Sequence, residues 1–309
     1  MSDPRPIGVF DSGVGGLTVL REIIRRSPHE STIYLGDNAR APYGPRTDDE
    51  VLAFSTQSLD ALVERDVKAL VVACNTSTAV GIGAFRRRYA LPVLGVIRPG
   101  ASAAALSTRN RRVGVIATPA TVRSHAYFAS IKDENPAIQV YEHATPTLVP
   151  MVEAGILSGP EAEAAVAAAL APLLGERDSD GESIFPRPPG ATIDTLLLGC
   201  THYPLLRPLI AAAVGDRVAI VDSATATASA LAELLVVNGL EAPGTTRGTA
   251  ADAGLAGHER YEEVPAPAIH RQFTTGDAGR FHDVAVRLFG TDLPETESIE
   301  LRELRAVGR

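Results

Sequence analysis

Two short stretches constrain this chain more than anything else in it. Leu70-Val71-Val72-Ala73-Cys74-Asn75-Thr76-Ser77-Thr78 runs from residues suited to a buried parallel strand into an abruptly polar turn at a cysteine. Leu196-Leu197-Leu198-Gly199-Cys200-Thr201-His202 has the same grammar. An apolar strand ending in hydrogen-bonding residues fits an open α/β sheet, which binds its ligands at the carboxyl ends of its strands. The chain has two cysteines, and both stand at this junction. Both thiols are therefore expected at one small molecule, on opposite sides of it.

The preceding sequence supplies the first α/β half. Ile7–Phe10 predicts a strand, followed by Asp11-Ser12-Gly13-Val14-Gly15-Gly16 and a helix reaching Ile24. Glycines there allow a tight turn and expose N–H groups at a helix N-terminus, which suits an anion. A dinucleotide fingerprint fits in part. Gly13-x-Gly15 matches, but the third glycine position falls on Thr18, and Asp11 would turn a negative charge toward a phosphate. Asp37 follows the second strand (Ile33–Gly36) at about the distance of a ribose-binding acid, so a nucleotide-binding module stays open as an alternative. Gly36–Gly44 reads as a polar loop, where binding residues collect. Thr47 caps a helix that opens with Asp48, Asp49 and Glu50 and runs to about Arg65. A helix over Ser77–Tyr89 and a strand over Pro92–Val96 complete this half.

After Arg98-Pro99-Gly100 the pattern restarts. Arg112–Thr121 repeats the layout of Pro6–Gly13: a basic or proline lead, x-Gly-Val-x, then a small hydroxyl-rich turn. Each copy is followed by an apolar strand ending in cysteine, so the order repeats although identity is weak. The expected architecture is α/β, with two pseudo-symmetric domains, each a mostly parallel sheet flanked by helices, and an active site in the interdomain cleft. The first domain is expected at 1–98 plus 214–309 and the second at 99–213. Gln139–Tyr141 and Arg217–Val221 predict strands; Glu161–Leu174 and Ala224–Val237 predict helices. Pro146–Glu153 is a loop-to-helix passage ending in an acid. A last strand near His270–Thr274 and a helix over Asp277–Leu288 close the fold. Arg177–Gly190 and Pro243–Pro267 are expected surface insertions, and the charged tail from Pro294 need not be ordered.

Composition removes several function classes. A formal charge of −8 argues against a general nucleic-acid binder, and Arg86-Arg87-Arg88 reads as a solvated helix end. No signal peptide opens the chain, and no uncharged apolar run approaches the roughly 18 residues of a membrane span. A cytoplasmic protein with reduced thiols is expected.

Four chemistries compete for the thiols. Free cysteine is often a small buried hydrophobe, but both of these are followed by hydrogen-bonding residues at ligand-binding strand ends. Metal binding lacks support, since neither Cys200-x-His202 nor the distance to Cys74 is a structural zinc spacing. A thiol hydrolase could use His202 as base, but leaves the second cysteine idle. Inversion at an amino acid's α-carbon uses both, because it needs a base on one face and a like acid on the other, exchanging roles in reverse. Thiols with an ordinary pKa of about 8.5 need help to act as bases near neutrality. Asp11 is the candidate helper on one side, and His202 or Glu153 on the other. Pyridoxal phosphate needs a lysine Schiff base, and the two lysines, Lys68 and Lys132, lie in no phosphate-binding loop.

At these residues the sequence resembles the glutamate racemases, cofactor-independent enzymes that supply D-glutamate for bacterial peptidoglycan. The resemblance rests on Gly8–Val19, Gly36-Asp37-Asn38, Pro42-Tyr43-Gly44, Ala73–Thr78 and Leu198–Leu205, and covers nearly the whole chain outside the two insertions and the tail. It implies that Cys74 acts on D-glutamate and Cys200 on L-glutamate, with Asp11 and His202 assisting. It implies substrate contacts from Asp11, Ser12, Tyr43, Gly44, Asn75, Thr76, Thr201 and His202. Asp37, Thr118 and Glu153 take supporting positions. The related aspartate racemases usually carry an acid where this chain has His202, which favours glutamate. No cofactor, metal, membrane or nucleic acid is implied; a homodimer is. Without the N-terminal extension of relatives activated by a peptidoglycan precursor, no such activation is expected.

Overall fold

The computed structural model describes residues 2–174, 192–244, 267–290 and 293–301. The first expected insertion lies outside the described residues, as does the second apart from Pro243, Gly244 and Pro267.

The first half alternates β1 (Ile7–Asp11), α1 (Leu17–Arg26), β2 (Thr32–Gly36), α2 (Asp48–Val63), β3 (Ala69–Val72), α3 (Asn75–Arg88) and β4 (Val93–Gly95). A long helix, α4 (Ile97–Ser107), leads into β5 (Arg112–Ala117), α5 (Pro119–Arg123), α6 (Ala126–Glu134) and β6 (Gln139–Ala144). Then come α7 (Leu148–Glu153), α8 (Pro160–Leu174), β7 (Thr195–Gly199), α9 (Arg207–Val214), β8 (Ala219–Asp222) and α10 (Ser223–Asn238). The chain returns through β9 (His270–Thr274), α11 (Ala278–Phe289) and β10 (Thr296–Ser298).

All strand pairs are parallel, in two sheets ordered β10-β9-β2-β1-β3-β4 and β6-β5-β7-β8. Remove β9 and β10, and the two orders match strand for strand. The expected two-domain α/β fold is therefore present, and β3 and β7 are equivalent strands. Both are buried throughout, as parallel strands covered by helices must be. One continuous core joins the halves: Ile7, Val9 and Leu17 of the first pack in the same cluster as Leu196, Leu198 and Leu231. Each such aliphatic side chain, fully buried, stabilises by roughly 1.5–3 kcal/mol.

Local chemistry sets the helix starts. Thr47 and Glu50 form a reciprocal capping box, so α2 begins where its three acids meet the positive helix end. Cys74 itself caps α3, its Sγ 3.5 Å from the Ser77 N–H, so the helix starts at Asn75 rather than Ser77.

Three further expectations change. Arg98-Pro99-Gly100 forms the first turn of α4 instead of a break, since proline's missing N–H would be unpaired there anyway. β8 pairs with β7, so the second sheet runs past the boundary expected at 213. His270–Thr274 is not the last strand: within the charged tail, Thr296–Ser298 pairs beside β9 as a sheet edge. Helices α6 and α9 had no sequence expectation at all. Among the described residues, no helix is long and apolar enough to cross a membrane.

Candidate active site

Cys74 and Cys200 line one cavity of about 240 Å³ between the two halves. Each follows its strand, β3 or β7, at the carboxyl end, and the equivalence of those strands puts one thiol in each half. Of the residues singled out above, Ser12, Tyr43, Gly44, Asn75, Thr76, Thr118, Glu153, Thr201 and His202 join them around the cavity. Asp11 and Asp37 do not line it; they lie behind it, fully buried.

Asp11 is held by its own turn. The Gly13 N–H donates to Oδ2 at 3.0 Å, and the Ser12 and Gly16 N–H groups also face the carboxyl, while Oδ1 has no partner. Burial pushes this carboxyl above its usual range despite those donors and the nearby His202 charge. Cys74 Sγ donates to Ser12 Oγ at 3.4 Å. Burial, with the Asp11 carboxylate behind it, pushes the Cys74 thiol up to about 11.

This arrangement corrects the anion-site reading of the glycine turn. A Cβ on Gly16 would stand 2.4 Å from Asp11 Cβ, and one on Gly15 would stand 2.5 Å from both His202 Nδ1 and Thr201 Oγ1. The turn wraps an internal carboxyl and presses against the other half, leaving no cradle for an outside phosphate. Thr18, where a fingerprint would want glycine, donates from α1 across the interface to the Thr201 carbonyl at 3.0 Å. Asp37 is equally occupied. It accepts from Tyr43 Oη in a short contact, from Arg40 Nε at 2.7 Å and from Thr275 Oγ1 at 2.6 Å. These bonds tie it to Tyr43 in the cavity wall, and the nucleotide alternative loses both of its anchors.

The second thiol has a different companion. Cys200 Sγ lies 3.7 Å from His202 Nδ1, and His202 Nε2 lies 3.2 Å from Glu153 Oε1. Burial opposes charge on the imidazole, but Cys200 and Glu153 outweigh it and raise His202 to about 10. At neutral pH an imidazolium thus stands against the Cys200 sulfur.

Other cavity residues close the space. Thr76 and Thr118 join hydroxyls across the halves at 3.0 Å, and Thr118 caps α5. Thr145, Pro146, Val149 and Pro150 form a wall that sequence reasoning did not single out. Thr145 follows β6 directly, so its strand-end position was the available signal. Among the described residues, no group of three His, Cys, Asp or Glu side chains is placed to hold a metal ion.

Comparison with known proteins assigns the class first. Residues 7–181 match the Asp/Glu/Hydantoin racemase family, and the chain belongs to that family of isomerases. Within it, the relatives are narrower in kind. The chain is 41% identical to the glutamate racemase of Shouchella clausii over 297 residues, covering 96% of this chain and 95% of that one. The solved glutamate racemase isoform from Bacillus anthracis superposes with a TM-score of 0.82 at 38% identity, covering 96% and 98% of the two chains. The Francisella tularensis glutamate racemase gives a TM-score of 0.77 at 32% identity, with the same coverage.

Proposed function

We propose that this chain interconverts L- and D-glutamate without a cofactor, by proton transfer between two thiols. The observation that carries the reading is the shared cavity: two cysteines at the ends of equivalent strands, one from each half. The substrate is taken from the relatives, since the Francisella tularensis enzyme is a complex with D-glutamate and the Escherichia coli enzyme one with L-glutamate.

In the L-to-D direction Cys200, as thiolate beside imidazolium His202, removes the α-proton. Cys74, a buried thiol that holds its proton well above neutrality, delivers one to the opposite face. The sulfurs end with protonation exchanged: Cys74 is the thiolate and Cys200 the thiol, ready for D-glutamate. Asp11 stands behind Cys74 to take up charge or proton as that thiol changes state. Neither lysine serves a Schiff base here: Lys68 is buried against Glu30 at 2.5 Å, and Lys132 donates to the Pro136 carbonyl. Neither lines the cavity. Supply of D-glutamate for peptidoglycan is the cellular role the family resemblance suggests.

Circular dichroism of L-glutamate incubated with the purified protein, without pyridoxal phosphate or metal, tests this. Ellipticity should decay to zero, and L-aspartate should hold its signal. Faster decay with aspartate would transfer the chemistry to the other acidic substrate, and no decay with either would remove it.

A further inference from the structure

Asn75 stands directly after Cys74 on the cavity wall with its amide half used. Oδ1 accepts a 2.6 Å hydrogen bond from Tyr127 Oη, whereas Nδ2 is buried with no partner. A buried donor left empty in the free protein points to a group that arrives later.

Tyr127 comes from the opposite half. It sits on α6, is completely buried, and reaches past the end of β7 to meet Asn75. That passage depends on Gly199. A Cβ there would stand 2.9 Å from Tyr127 Cε2, so the ring occupies space that any other residue before Cys200 would fill. The corresponding position in the first half, before Cys74, is Ala73. The phenol hydrogen is committed to Asn75 Oδ1.

A side-chain amide has two orientations that differ in which atom faces which neighbour. The Tyr127 hydrogen selects the one with oxygen turned to the phenol and the NH2 group left for the cavity. The selection matters because, among the described residues, the cavity has no lysine or arginine in its lining. A dicarboxylate must be met there by neutral donors and His202, and a flipped amide would face it with oxygen.

We propose that Tyr127 is a positioning residue that, from the second half, holds Asn75 as a hydrogen-bond donor to a substrate carboxylate. The proposal rests on the reading of this cavity as the glutamate site. It also makes binding depend on the approach of the halves, since Tyr127 and Asn75 belong to different ones.

The test is steady-state glutamate racemisation by the wild type, Tyr127→Phe, Asn75→Ala and the double variant. Loss of an interaction made equally in ground and transition states raises KM and spares kcat. Tyr127→Phe should raise KM about tenfold with kcat within about twofold, and the double variant should bind no worse than Asn75→Ala alone. A Tyr127→Phe protein with wild-type melting and a KM within about twofold of normal would overturn the proposal, as would effects that multiply in the double variant. Asn75→Asp reads the same point without touching the tyrosine. It keeps an acceptor for Tyr127 but turns a carboxylate oxygen toward the substrate carboxylate, so its KM should exceed that of Asn75→Ala, which only lacks the donor; equal values would count against the proposal. A wild type that does not racemise glutamate removes the functional reading and this proposal together, whereas an active wild type indifferent to Tyr127 removes only the latter.

Discussion

Glu153→Gln isolates the electrostatics of the second thiol. Glu153 Oε1 lies 3.2 Å from His202 Nε2, and its carboxylate helps hold the imidazolium against the cost of burial. At that separation Coulomb's law gives roughly 5 kcal/mol for an effective dielectric of about 20 and roughly 1 kcal/mol in water. The Glu153 side chain is 35% exposed, so water screens the pair and the lower end applies. About 1–2 kcal/mol corresponds to about one pKa unit. Glutamine keeps a hydrogen-bond acceptor and loses the charge, so His202 should titrate near 9 instead of about 10. The assay is kcat/KM by circular dichroism from pH 7 to 11. The enantiomers are equal in free energy, so kcat/KM must agree in both directions, and either can be followed. The alkaline limb should move down by about one unit, clear of the Cys74 thiol near 11. The same linkage has a stability side. A histidine raised from 6.5 to about 10 stabilises the fold fully below about 6.5, and that contribution is lost as pH rises through about 10. The Tm gap between wild type and variant should therefore be widest near pH 6 and close toward pH 10. An alkaline limb unmoved in a folded Glu153→Gln protein would refute the reasoning.

Other outcomes follow from the same geometry. Cys74→Ser and Cys200→Ser should each lower racemisation by about 10²–10⁴-fold with the far-ultraviolet spectrum unchanged, because a hydroxyl is too weak an acid to exchange the proton; near-normal turnover in either would free that thiol of its role. Lys68→Met should destabilise by about 3–5 kcal/mol in urea unfolding, since it strands the buried Glu30 carboxylate 2.5 Å from the lost ammonium; a loss below about 1 kcal/mol would mean that Glu30 finds another partner.

Much of the site was legible because strand ends are chemically abrupt. A run of buried aliphatics turning polar at Cys74 and again at Cys200 marked both the sheets and the place where ligands gather. The doubled order of Pro6–Gly13 and Arg112–Thr121 was enough to pair the halves, as the matching strand orders demonstrate. What escaped depends on contacts far apart in sequence. Nothing local distinguishes Gly15 and Gly16 as close-approach glycines from phosphate-binding ones until His202 and Asp11 are seen against them. Arg98-Pro99-Gly100 looks like punctuation, yet a proline in the first turn of a helix is compatible with it. The short strand at Thr296–Ser298 has little apolar pattern, being an edge, and Tyr127 carries no motif because its partner belongs to the other half.

Racemisation of L-glutamate in deuterium oxide, stopped at low conversion, examines the pair of thiols most directly. With one sulfur on each face, newly formed D-glutamate should carry solvent deuterium at Cα while unreacted L-glutamate carries none. Deuterium entering the L-glutamate pool as fast as inversion, or D-glutamate retaining the original hydrogen, would mean that a single base serves both faces.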